Sequence, residues 1–114
     1  MSLHQRDSYA AFVTGLPGVT LHEQWEALVA KVGGKVFCLL ADTGGDLVFK
    51  VGEIGFDGLT ELDGIEQAAY FAKRQWVRVT PGSLEPELLA DYVRASHRLI
   101  AGKLTRKLRA ELGI

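Results

Sequence analysis

The sequence of 114 residues is 47% hydrophobic and 24% charged with a net charge of −1, a length that fits one domain (residues 1–114) with its own core and a balance that excludes a disordered chain. Cys38 is the lone cysteine, so an intramolecular disulfide and a Cys-based zinc quartet are excluded, and a reducing cytoplasm is the expected compartment. The N-terminal stretch lacks a basic-then-apolar signal pattern and no apolar run reaches the roughly 18 residues of a membrane span, so neither export nor a membrane partner is expected.

Tyr9, Phe12, Val13 and Leu16 recur at helical spacing, and Gly15 followed by Pro17-Gly18 predicts that this first helix ends near Thr14. From Val19 the pattern changes to short β-branched or aromatic runs at 26–32, 35–41 and 47–51, separated by Gly33-Gly34 and by Thr43-Gly44-Gly45-Asp46. Both separators are hairpin signals, and the region predicts an antiparallel meander. Residues 52–64 mix glycines with Glu53, Asp57, Glu61 and Asp63 and predict a loop carrying one helical turn around Leu59 and Leu62. Residues 69–80 are strand-like again, read as two short strands meeting at Lys73-Arg74.

Ser83-Leu84-Glu85-Pro86-Glu87 places a proline and carboxylates where a first helical turn favours them. Leu88, Leu89, Tyr92, Val93, Ser96, Leu99 and Ile100 then trace one helical face, and Leu104, Leu108 and Leu112 mark a short final helix. The order of helix, sheet and helices predicts an α+β two-layer sandwich, an antiparallel sheet covered by N-terminal and C-terminal helices.

Several segments combine into a resemblance: Leu16-Pro17-Gly18-Val19, Lys31-Val32-Gly33-Gly34-Lys35-Val36-Phe37, Lys73-Arg74-Gln75-Trp76-Val77-Arg78-Val79, Gly82-Ser83-Leu84 leading into Glu87-Leu88-Leu89, and the closing run from Lys103-Leu104 to Leu112. In this order and spacing the chain resembles the YjbR/MmcQ family. The resemblance implies a small bacterial protein with a frataxin-like or secretion-chaperone-like fold that binds DNA through a double-wing arrangement.

Catalytic and metal chemistry find little support among the residues. No glycine-flanked serine elbow is present, and Cys38 lies in the apolar run Val36-Phe37-Cys38-Leu39-Leu40, where a thiol is inert. His4, His22 and His97 fall in separate elements without ligand spacing, and the glycine pairs do not open helices as phosphate loops do. The acidic set Glu53, Asp57, Glu61, Asp63 and Glu66 has no recognisable ligand frame. A non-enzymatic protein without cofactor or metal is therefore expected.

The basic residues carry the functional expectation. Seven Lys and Arg face thirteen Asp and Glu up to Val93, whereas six basic residues meet only Glu111 from Arg94 onward. On an extended strand Arg74, Trp76 and Arg78 share one side while Val77 and Val79 take the other, which sets an indole between two guanidinium groups. Lys73, Arg74, Trp76 and Arg78, joined by Lys103, Arg106, Lys107 and Arg109 of the tail, are the candidate nucleic-acid-binding residues. DNA is the expected partner, held weakly and in a salt-dependent manner. The alternative is a protein-interaction module that uses the open sheet face and the Leu104, Leu108, Leu112 stripe to hold a protein partner or a second copy.

Overall fold

The computed structural model describes residues 2–114. Its elements run α1 (Arg6–Thr14), β1 (Val19–Gln24), β2 (Ala27–Val32), β3 (Lys35–Ala41), β4 (Leu47–Lys50), α2 (Glu53–Leu59), β5 (Ile65–Gln67), β6 (Trp76–Val79), α3 (Pro86–Ala101) and α4 (Arg106–Leu112). The strands form one sheet in the order β1-β2-β3-β4-β6-β5, each neighbouring pair antiparallel. This is the α+β sandwich that the sequence predicts.

Strand pleating sorts the side chains into two faces. Leu28, Ala30, Leu40, Leu47, Phe49, Val77 and Val79 meet Tyr9 and Val13 of α1, Leu59 of α2, and Leu89, Val93 and Ile100 of α3 in the main core. A register shift after Ala30 pairs Ala30 with Cys38 but Lys31 with Val36, leaving Phe37 as the extra residue of a bulge. The bulge lets the consecutive residues Phe37 and Cys38 both enter the core. Phe37 there meets the edge of the buried His97 ring at 5.3 Å.

The β2–β3 turn needs glycine twice over. Gly33 and Gly34 have φ of 58° and 81°, the left-handed conformation of a two-residue hairpin loop. A Cβ on Gly33 would also stand 2.7 Å from Leu104 Cδ1, because the segment entering α4 packs on the turn. Leu108 closes on the same glycine and Leu112 on Gly18. The Leu104, Leu108, Leu112 stripe is thus spent on the protein's own turns, which corrects the expectation that it is free to hold a partner.

Other departures have physical reasons. Residues 53–59 form a whole helix rather than one turn, because Phe56 and Leu59 bury against the core and override two helix-weakening glycines. Strand β5 begins at Ile65, earlier than expected, and residues 68–75 connect it to β6 without joining either strand. On α3, Leu88 and Leu99 lie outside the buried stripe, while His97 and Ala101 lie within it. Strand β1 has no continuous apolar run to mark it, because its residues are exposed or half-buried.

Candidate functional site on the open sheet face

The second face of the sheet carries a smaller apolar cluster of Ala27, Val29, Leu39, Val48, Ala68 and Trp76, packed by Val36 and Phe71, and among the described residues no helical residue enters it. Its cover is the irregular segment 68–75, which folds back over the strands. Phe71 lies on Trp76 with ring centroids 4.5 Å apart. Trp25, at the tip of the β1–β2 hairpin, meets Phe71 edge-on at 6.5 Å. A cleft of about 500 Å³ runs between hairpin and segment, floored by Leu39, Val48 and Arg78 and walled by Trp25, Tyr70 and Phe71.

The two walls are conformationally strained. Trp25 and Glu26 have φ of 57° and 54°, and Tyr70 and Arg74 of 70° and 62°; these are the non-glycine residues with positive φ among the described residues. An L-residue in this conformation costs about 1–2 kcal/mol. Burial recovers little of that here, since Trp25 is 63% exposed and Tyr70 fully so. The left-handed backbone is confined to the two segments that rim this cleft, and two of its four residues are exposed aromatics.

The strand cations are arranged differently from the expectation. Val77 and Val79 do enter the core and Trp76 and Arg78 do share the open face. Arg74, however, precedes β6, so the three residues do not project from one extended strand. Its guanidinium donates to Asp57 Oδ2 at 2.8 Å, and its backbone N–H donates to Gln67 Oε1 at 2.9 Å. Arg78 donates to Asp46 Oδ2 at 2.8 Å and also pairs with Glu66. Two carboxylates therefore fix and neutralise it. Trp76 is buried beneath Phe71 and is not an open stacking platform.

Lys50, which sequence reasoning passed over as a strand end, is the buried cation of this face. Paired with Trp76 in the β4–β6 register, it places Nζ 5.9 Å from the Trp76 ring centroid and donates to Gln75 Oε1. Ser96 of α3 anchors the same residue by donating from Oγ to the Lys50 carbonyl. Burial, and then the neighbouring Lys103 ammonium, lower the Lys50 pKa below the ordinary lysine value. Among the described residues no carboxylate forms an ion pair with Lys50, nor with Lys73, Lys103, Arg106, Lys107 or Arg109.

The aromatic row Trp25, Phe71, Trp76 leads to Lys50, and Lys103, Arg106 and Lys107 of the tail are exposed. Arg109 turns instead into a separate cleft with Pro17, His97 and Arg98. Arg74 and Arg78 of the predicted strand set are each paired with carboxylates.

The remaining candidates are structural. Cys38 is fully buried beside Tyr9, and burial pushes its thiol up to about 12. His97 Nε2 donates to the Pro17 carbonyl at 2.8 Å, His4 Nδ1 to the Gly45 carbonyl at 2.7 Å, and His22 pairs with Thr20. Among the described residues no three His, Cys, Asp or Glu side chains converge as a metal site would require.

These features define a small α+β sandwich that leaves one sheet face to two aromatic-bearing segments instead of helices. The YjbR family model matches residues 14–99, and the chain belongs to that family. A crystal structure of a Deinococcus radiodurans protein with a DUF419 domain is similar at 28% identity and a TM-score of 0.84, over 95% of this chain and 87% of that one. A Pseudomonas syringae protein of 17% identity shares the fold, with a TM-score of 0.71 over 83% of this chain and 97% of its own. No curated protein shows significant similarity to the chain. No helix among the described residues is long and apolar enough to cross a membrane.

Proposed function

We propose that the protein is a non-enzymatic nucleic-acid-binding module that holds single-stranded DNA on its open sheet face. The observation that carries this reading is the pair of exposed, backbone-strained aromatics, Trp25 and Tyr70, on the two segments that rim the cleft. Bases of a single strand stack on such side chains without regard to sequence, at about 1–3 kcal/mol per base. The β1–β2 tip and the 68–75 segment act as the two wings of the family's expected double-wing arrangement. Phosphates are met by the cations that lack carboxylate partners, Lys50, Lys73 and Lys103, with Arg106 and Lys107 further along the strand.

A duplex is the poorer ligand. Its bases are already stacked, and the net charge of −1 gives the protein no long-range positive field to draw a rigid polyanion. With about three phosphates neutralised, the slope of log affinity against log salt for a single strand is about −2. The test is a competition experiment. Unlabelled single strand should displace a bound fluorescent strand at low salt and unlabelled duplex should not; displacement by duplex alone would rule out the stacking reading.

One observation favours a second reading, a protein-interaction module: the cleft floor joins apolar Leu39 and Val48 to the fixed Arg78, and its walls carry Trp25 and Tyr70, the side-chain types that dominate protein hot spots. That reading gains if the folded protein binds neither form of DNA.

A further inference from the structure

A separate cleft of about 410 Å³ lies where the turn after α1 meets the C-terminal ends of α3 and α4. Leu16, Pro17 and Ala101 give it apolar walls, Arg94, Arg98 and Arg109 give it cations, and no Asp or Glu lines it among the described residues. Its walls are tied together: His97 Nε2 of α3 donates to the Pro17 carbonyl at 2.8 Å, and Leu112 of α4 packs on Gly18. The volume is that of a small-ligand pocket whose shape the fold already fixes.

The guanidinium groups differ in what they already hold. Arg94 donates to Asp91 Oδ1 at 2.8 Å and stands 5.0 Å over the Phe12 ring. Arg6, Arg74 and Arg78 likewise donate to carboxylates. Among the described residues no ion pair, to a side chain or to the chain terminus, takes Arg98 or Arg109, and Arg109 Nε is buried with no hydrogen-bond partner. A helix C-terminus favours a cation, and each of the two helices has one of these arginines in its last turn. The carbonyls of Arg98 and Arg109, however, accept from the backbone N–H groups of Gly102 and Ile114. The guanidinium groups are therefore not spent as caps, and a buried donor without an acceptor calls for a reason beyond the dipole.

From this arrangement we propose that the cleft binds a small phosphate monoester with an apolar body, at a site apart from the open sheet face. The uncommitted guanidinium groups of Arg98 and Arg109 match the charge of a phosphate dianion, and their planar forks donate paired N–H bonds to its oxygens. A small rotation of the Arg109 side chain would present its Nε–H to the same anion. Arg94 adds donors while Asp91 offsets its charge, so the site as a whole stays matched to a dianion. The walls of Leu16, Pro17 and Ala101 reward an apolar body that inorganic phosphate lacks. An internal phosphodiester of a nucleic-acid strand offers similar oxygens but a single charge, and it brings a sugar to these walls.

The test titrates phenyl phosphate, inorganic phosphate and phenol separately into the whole protein by calorimetry, followed by NMR of the arginine Nε–H resonances. Phenyl phosphate should bind at least about tenfold more tightly than either of the others, each of which lacks one half of what the cleft recognises. The wild-type Arg109 Nε–H resonance should shift as phenyl phosphate saturates the protein. Arg98→Ala, at an exposed position, should weaken phenyl phosphate about tenfold, the size expected of charge-assisted hydrogen bonds. Arg109→Lys, which keeps the charge and loses the fork, should weaken it as well; if that variant does not fold, the wild-type Nε–H shift decides. Absence of phenyl phosphate binding, or binding that leaves the Arg109 resonance and the Arg98→Ala affinity unchanged, would overturn the proposal. So would inorganic phosphate or phenol binding as tightly as phenyl phosphate. Displacement of bound phenyl phosphate by a single DNA strand would overturn it too, by assigning the cleft to a nucleic-acid backbone.

Discussion

Phe71 covers Trp76, with ring centroids 4.5 Å apart and planes inclined at 36°. The tryptophan that strand alternation marks out therefore lies beneath the surface of the open face, and the ring above it belongs to the segment between β5 and β6. Removing that ring should uncover the indole at moderate cost. Phe71→Ala should lower stability by about 2 kcal/mol, less than a fully buried Phe would lose, because Phe71 is only half-buried. The Trp76 contribution to fluorescence should shift to longer wavelength; Trp25→Phe in the background separates the two indoles. An unchanged emission maximum would mean that the 68–75 segment does not shield Trp76.

The β1–β2 tip trades stability for surface. Trp25 and Glu26 both occupy the left-handed region, where Asn-Gly is the favoured pair. Trp25→Asn combined with Glu26→Gly should raise stability by about 1–2 kcal/mol and weaken strand binding. A chemical-denaturation midpoint that falls, with unchanged m-value, would show that Trp25 contributes more through its edge contact with Phe71 than it costs in backbone strain.

Much of the fold is legible in the sequence because glycine and apolar period agree at each element. Gly33-Gly34 and Gly44-Gly45 do take positive φ, and Val77 and Val79 do face the core. The site is less legible because it depends on exceptions to those rules. Trp25-Glu26 is a two-residue hairpin turn without glycine or asparagine, so no turn signal marks it. Lys50 ends an apolar run and looks like a solvated strand terminus until the register sets it over Trp76. The pairing of Arg74 with Asp57 and of Arg78 with Asp46 and Glu66 depends on segments far apart in sequence.

Cys38 gives a pH signature. An unfolded thiol ionises near its ordinary value of 9.0, whereas the folded one holds its proton to about 12. The folded state therefore binds more protons across that window, so this thiol's contribution to stability is fully present below pH 9.0 and is lost as pH rises toward 12. Tyr9, whose hydroxyl is likewise raised by burial, acts in the same direction. Cys38→Ala should cost about 1–2 kcal/mol at neutral pH and show a shallower alkaline decline than the wild type in denaturant titrations. Equal declines, or rapid labelling of the native thiol by a bulky reagent, would show that Cys38 is not sealed in the core.

If the open face binds a single strand by stacking on Trp25 and Tyr70, Arg74 and Arg78 stay committed to their carboxylates while the aromatics carry affinity. This division of roles is tested most directly by anisotropy titration of one fluorescent single strand at low salt against three folded proteins: the wild type, the double variant Trp25→Ala with Tyr70→Ala, and the double variant Arg74→Ala with Arg78→Ala. The account predicts that the aromatic variant loses affinity by at least about tenfold, while the arginine variant changes the slope of log affinity against log salt by less than about one unit. Absence of binding by the wild type, or a steep loss confined to the arginine variant, would contradict it.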